Sequence, residues 1–316
     1  MEQTFLNLDA GESAIFLRDL ESIKAKTYDK LYPEYKAQRL FPVDTSAGPG
    51  AETITYRSFD RVGVMKIIAD YADDLPRSDV KGIEKSIIVK SLGGSFGYNY
   101  QEVKASAMGN RPLPQMKANA ARQSWEAKVD SLAWYGDASA NLKGILNQPD
   151  VPAATVQTGI SSGNVTWLGA APKTADEILK DMNDSIGDVH ILTNEVEQPD
   201  TILLPTAHYE HIATTARSST SDLTILEYFK RNRPGVTVES ASKLAAVDPL
   251  PSGAGGPKNV MIAYKRDIDK LSLELPQLFE MLPVQERGLE YLVPTHARIG
   301  GLLVYYPLSI NIVEGI

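Results

Sequence analysis

Apolar positions change period along the chain, and each change marks a new kind of element. Over Ala14 to Lys30 they fall at Ile15, Phe16, Leu20 and Ile23, offsets that suit a short amphipathic helix. Tyr32-Pro33, Phe41-Pro42 and Gly48-Pro49-Gly50 then break any regular element. Residues 1–50 therefore have the character of an arm. Tyr28, Tyr32, Tyr35, Leu40 and Phe41 give it apolar surface that a short segment cannot bury by itself. Such a segment is expected to lie on its own globule or on a neighbour.

Residues 51–104 have a β pattern. Thr53, Ile54, Thr55 and Tyr56 open a strand that Val62, Val64, Met65, Ile67 and Ile68 continue. Asp70 to Asp79 is polar, charged and interrupted by Pro76. From Lys85 to Tyr100 the pattern is β again, through Ile87, Ile88, Val89, Phe96, Tyr98 and Tyr100. Two long strands around a charged tip predict a long hairpin. A tip carrying Asp70, Asp73, Asp74 and Asp79 against Arg77 and Lys81 has little reason to fold onto its own core.

Residues 113–135 predict the longest helix. Pro112 and Pro114 stand at its start, where a missing N–H costs little. Ala118, Ala121, Trp125, Val129 and Leu132 line one face in steps of three or four, and Gly136 closes it. Leu142 to Asn147 follows as a turn and short strand, and residues 148–170 form a Pro/Thr/Gly/Ser-rich connection. From 171 to 282 helix and strand signals alternate. Thr174-Ala175-Asp176-Glu177 has the capping-box form, with Ile178, Met182 and Ile186 spaced by four behind it. Thr201–Leu204, Val236–Val238 and Val260–Tyr264 predict strands, and Leu223–Arg231 predicts a helix. This is a compact α/β layer. The last stretch returns to β through Tyr291–Pro294, Leu302–Tyr306 and Ile310–Val313.

Composition narrows the function. The chain has 316 residues and 43% hydrophobic residues, enough for a sizeable core. Its formal net charge is -8, against the basic stripe of a nucleic-acid-gripping protein. The longest basic cluster, Lys230-Arg231-Asn232-Arg233, fits a solvated helix end. With no cysteine, disulfides, thiolate metal sites and a Cys nucleophile are impossible. Glu2, Asp9, Glu12 and Arg18 interrupt the start, so no signal segment is expected. No stretch reaches the ~18–20 apolar residues of a membrane helix.

Candidate chemistry is sparse. Gly93-Gly94-Ser95-Phe96-Gly97 matches G-x-S-x-G, but the alternation of Phe96, Tyr98 and Tyr100 continues a strand where a nucleophile elbow needs a turn into a helix. The glycines fit a bulge or a close backbone crossing instead. His208 and His211 lie three apart, without the spacing of a zinc-protease motif, and predict an ordinary surface helix. The hairpin aspartates lack EF-hand spacing. No P-loop or dinucleotide fingerprint is present, and no metal or cofactor is expected.

The order of parts resembles a known family. Ala120-Ala121-Arg122-Gln123 through Asp130–Asp137 is similar to the end of the spine helix in tailed-phage major capsid proteins of the Hong Kong 97 type. Leu142–Asn147 resembles the turn that follows it. Val284–Tyr291, Arg298–Pro307 and the closing Glu314-Gly315-Ile316 resemble the family's C-terminal strands. The resemblance covers nearly the whole chain and rests on order and spacing. It implies an α+β fold with an N-terminal arm at 1–56, an extended hairpin, the E-loop, at 57–90, and a peripheral domain at 91–170. That domain would hold the spine helix 113–135 and take back strands from 283–316, and an axial α/β domain would cover 171–282.

The implied role is structural and non-enzymatic. Pentamers and hexamers would build an icosahedral shell in the host bacterial cytoplasm and enclose double-stranded DNA without sequence-specific binding. A portal protein, and scaffolding or decoration proteins, would be partners, with no membrane. The resemblance places intersubunit contacts at Tyr28, Tyr32, Tyr35, Phe41, Asp73, Asp74, Arg77 and Lys81. A covalent Lys81–Asn311 crosslink, known in one branch of the fold, is not expected. The alternatives are an encapsulin-type nanocompartment shell and, from another class, a hydrolase using Ser95.

Overall fold

A computed structural model describes residues 33–67, 76–108, 113–218, 220, 222–253 and 255–316. The helix expected over Ala14–Lys30, together with Tyr28, Tyr32, Asp73 and Asp74, lies outside these residues. Tyr35–Ile316 form the unit described below.

The chain opens on one helical turn, α1 (Ala37–Leu40), and a short strand, β1 (Val43–Asp44). Strands β2 (Thr53–Val62) and β3 (Asp79–Ile88) pair antiparallel from Thr53–Ile88 out to Val62–Asp79. Next come β4 (Lys90–Asn99), α2 (Tyr100–Met108) and the long helix α3 (Leu113–Tyr135). After β5 (Ala153–Thr155) follow α4 (Ala175–Leu192), β6 (Thr201–Leu204), α5 (Thr206–Thr214), α6 (Ile225–Asn232), β7 (Thr237–Ser240) and β8 (Val260–Tyr264). Then come β9 (Leu271–Glu274), β10 (Gln277–Met281), β11 (Gln285–Arg287), β12 (Glu290–Ile299), β13 (Gly301–Val304) and β14 (Ile310–Glu314).

The central sheet has the order β5-β14-β8-β6-β7 and is covered on both faces. Its middle strand β8 is apolar and buried at every position, yet side-chain alternation still sorts it. Val260, Ile262 and Tyr264 of β8 enter one core, shared with Phe41, Trp134 and Ile299. Met261 and Ala263 enter the other, shared with Trp167, Ile178, Met182 and Phe229. Two of the five strands come from outside residues 171–282, because β14 pairs with β8 and β5 pairs with β14.

The long helix spans the range predicted from its periodicity. Val129 and Leu132 are buried, while Ala118, Ala121 and Trp125 are half-buried on the same face. Gly136 ends it at φ +66°, where a side chain would also strike the Leu142 carbonyl at 2.4 Å. Helix α4 starts as its capping box predicts, with the Thr174 N–H donating to Glu177 Oε2 at 2.9 Å.

Three expectations change. The β pattern extended to 104 stops at Asn99, because Asn99 and Glu102 cap a helix: the Gln101 N–H donates to Asn99 Oδ1 (2.6 Å) and the Asn99 N–H to Glu102 Oε2 (3.2 Å). The first hairpin strand ends at Val62, before Val64, Met65 and Ile67. Phe41, expected at a subunit contact, is fully buried in its own core. Its ring lies 5.2 Å from Trp134, edge-on, and 5.9 Å from Tyr264. The segment around it is tied down by polar contacts as well. The Ala37 N–H donates to buried Asp130 at 3.1 Å, Lys36 Nζ donates to the Ser240 carbonyl at 2.9 Å, and the Tyr264 hydroxyl donates to the Leu40 carbonyl at 2.7 Å. Among the described residues, then, the chain from Lys36 onward belongs to the body and not to a free arm. Tyr35, just before it, is half-buried.

Candidate functional site

The β2–β3 hairpin is the part of the molecule least able to bury itself. An isolated two-stranded hairpin is marginal in water, and this one touches the body only at its root. There Ile54 and Ile87 flank Gly300, where a Cβ would lie 3.2 Å from Ile87 Cδ1 and 3.5 Å from Ile54 Cδ1. Tyr56 meets Tyr305 edge to face at 5.0 Å. Farther out Phe59, Val62, Val80 and Ile83 are all exposed. Phe59 lies over Gly82, which offers no side chain to cover the ring. Beyond the ladder Val64 is 69% exposed, Met65 95% and Ile67 103%. Soluble monomers rarely cluster so many bare apolar side chains on one projection.

Charge is arranged along the same strands. Arg57 pairs with Glu84 at 3.1 Å. Lys81 stands directly across from Asp60 within the ladder. It was assigned to the tip, but the strand pairing extends as far as Asp79, so Lys81 is a strand residue whose nearest register partner is in its own subunit. Arg77 does lie at the exposed end, beside Ser78, which packs against Gly63. The structure thus brings Arg77 and the outer apolar residues together, and separates them from Tyr35 and Phe41.

Behind the root sits a buried polar group that the sequence reading missed. Glu274 on β9 is fully buried; the Ser272 hydroxyl donates to its Oε1 at 2.5 Å and the Tyr305 hydroxyl at 3.4 Å. Asp44 is its register partner on β1, and Gly301 on β13. Burial, reinforced by Asp44 and opposed by the hydroxyls, pushes the carboxyl above its ordinary 4.5. A carboxyl raised in the fold contributes stability below its unfolded value, and this contribution is lost as pH rises through its folded value. Glu274→Gln is therefore expected to be more stable than the parent at neutral pH, with the gap closing near pH 4.5. Thermal melts across that range check this, and a constant gap would contradict it. No signal marked Glu274: Leu271-Ser272-Leu273-Glu274 alternates as a half-exposed strand would, and only tertiary packing covers its polar side.

The other candidates resolve into structure. Ser95 sits mid-strand opposite Pro294, with no turn into a helix. His296 Nδ1 bonds Gln277 Oε1 at 3.0 Å. Of the glycines, Gly97 is in close approach, with the Tyr291 carbonyl 3.2 Å from its Cβ position, whereas Gly93 has open space. The helix carrying His208 and His211 is not wholly a surface helix. His208 is buried against Trp167 with Nε2 3.2 Å from the Ile316 carbonyl, and burial lowers its pKa. His211 instead meets Thr215, at 3.3 Å. Among the described residues no cluster of three His, Cys, Asp or Glu could hold a metal, and no helix is long and apolar enough to cross a membrane. Asn311 is buried, with its amide donating to the Ser185 carbonyl at 3.2 Å.

Comparison with solved structures places this architecture. The capsid protein of Myoviridae phage XM1 superposes with a TM-score of 0.82 at 20% identity, covering 96% of this chain and 99% of that one. The capsid of an empty GTA particle gives 0.63 at 12% identity, over 97% and 99%. Mycobacterium phage Ogopogo gives 0.61 at 10%, over 94% and 96%. At such identities the likeness shows the fold, which is the Hong Kong 97-type fold. No curated protein matches the chain by sequence. Residues 63–316 do match a sequence family, and the match covers β3, the long helix, the second core and all of the first core but its Ala37–Phe41 part. On that match the chain belongs to the major capsid protein family.

Proposed function

We propose that this capsid protein is the shell-forming subunit of a tailed phage, assembling through pentamers and hexamers into an icosahedral container for double-stranded DNA. The observation that carries the reading is the hairpin, whose outer half has apolar side chains exposed on both strands and no core of its own. Buried on another copy, each large side chain would contribute roughly 1.5–3 kcal/mol before ordering costs. A projection from one copy onto a different surface of the next is a heterologous contact, which closes into rings when the rotation allows.

In this reading the hairpin is the reaching part among the described residues, and the arm expected over 1–56 joins the body from Lys36 onward. Residues 91–170 with 283–316 supply the peripheral domain and 171–282 the axial one, except that β5 and β14 complete the axial domain's sheet. Assembly takes place in the host cytoplasm, with a portal and scaffolding or decoration proteins as partners. The net charge of -8 suits a wall that contains DNA without gripping it. Native mass spectrometry of partly dissociated assemblies tests the capsomers. Species of five and six chains are expected, and a series built on dimers would contradict the reading.

A further inference from the structure

Strand β4 pairs with β12 along one edge, from Lys90–Ile299 to Asn99–Glu290, and no described strand takes its other edge. The Tyr100 N–H donates to the Leu289 carbonyl, which fixes the alternation: even-numbered residues of β4 bond inward to β12 and odd-numbered ones point outward. Two outward positions are closed by side chains. The Gly97 carbonyl accepts from Lys117 Nζ at 2.8 Å, and the Asn99 N–H donates to Glu102 at 3.2 Å. Ser91, Gly93 and Ser95 remain, on an exposed stretch without proline or charge, although edge strands are normally blunted by such residues.

Beside this open stretch lies a cavity of about 320 Å³ between the sheet and α3. Its walls include Gly94, Ala121 and Ser124, and Trp125 and Phe279 form an aromatic pair 5.8 Å apart within it. The buried Trp125 Nε1 has no hydrogen-bond partner. Gly93 needs no glycine for its own subunit, since a Cβ there would meet nothing within 4 Å.

We infer that the open edge of β4 and this cavity receive the Gly63–Ile67 segment of a second copy as an added strand. That segment lies outside the ladder, and Met65 and Ile67, two apart, would share one face of a strand. They are also the most exposed large apolar side chains of the hairpin. Main-chain bonds to Ser91, Gly93 and Ser95 supply attachment, and the Met65 side chain enters beside Trp125, a favourable sulfur–aromatic setting. This deepens the shell reading and rests on it, by naming the surface that the hairpin's end occupies.

The chain has no cysteine, so introduced thiols report only on their own positions. Met65→Cys with Ser124→Cys, treated as assembled shells with a short bismaleimide, is expected to give a multimer ladder on a denaturing gel. Met65→Cys with Ile160→Cys, whose second site is exposed and lines a different cavity, is expected to give none. Shells that form without the first ladder, or that give both equally, overturn the inference and leave the shell reading intact. A parent protein that forms no shells overturns the shell reading itself. Ser124→Phe gives an answer that needs no double variant. Filling the cavity should lower shell yield roughly tenfold at an unchanged subunit melting temperature, and parental yield would overturn the inference.

Discussion

Replacing residues 59–82 by Asn-Gly is expected to abolish assembly and to leave the subunit folded. The hydrogen-bonding alternation of the hairpin makes this cut possible. The Val89 N–H donates to the Glu52 carbonyl, so Ser58 and Ile83 face each other as a hydrogen-bonded pair. A two-residue turn can join such a pair. The root contacts of Ile54, Tyr56 and Ile87 with Gly300 and Tyr305 are kept. What is lost is Phe59, Val62, Val64, Met65, Ile67 and Val80, none of them buried in the subunit. The melting temperature of the unassembled subunit should move by no more than about 3 °C, the effect of roughly 1 kcal/mol in a chain of this size. Sedimentation should show no particle. Normal particles from the shortened chain would mean that the hairpin is not an assembly element.

The largest expected loss of subunit stability is at Lys173. Its ammonium is buried 2.6 Å from Asp181, and it also donates to the Gln157 carbonyl. Trp167 Nε1 donates to the same carboxylate oxygen at 2.8 Å. These bonds fasten the loop before α4 to the helix and to the second core. Burial raises the Asp181 pKa, and the lysine and Trp167 oppose that rise. Lys173→Met leaves the carboxylate buried with one donor and should cost about 3–5 kcal/mol. The deficit should shrink in acid, where Asp181 takes up a proton. Adding Asp181→Leu should restore most of the loss, because two apolar side chains can replace a buried pair. Denaturant titrations of both single variants and the double variant measure this. Additive losses would mean that the two groups are not coupled.

Much of this fold is legible in the sequence where local signals and tertiary environment agree. Helix Leu113–Tyr135 has proline at its start, a stepped apolar face and Gly136 at its end, and each signal survives packing. Strand Val260–Tyr264 is a short apolar run because both sheet faces are covered. The hairpin was visible as two β-rich runs around a charged gap. Its extent was not, because Lys81 belongs to strand or tip only according to where the ladder ends. The Asn99–Glu102 cap was hidden behind the alternation of Phe96, Tyr98 and Tyr100. Phe41 looks like an arm residue from its proline-bounded neighbourhood, and only Trp134 and Tyr264, distant in sequence, decide its burial. The open edge of β4 was also out of reach, since an edge is a property of the sheet and not of the strand.

The central claim is that this chain builds a closed shell from copies of itself. Negative-stain electron microscopy of the purified protein under assembly conditions tests it most directly. Closed shells of uniform diameter are predicted. A field without particles, with sedimentation at the 34.5 kDa of a single chain, would contradict the account.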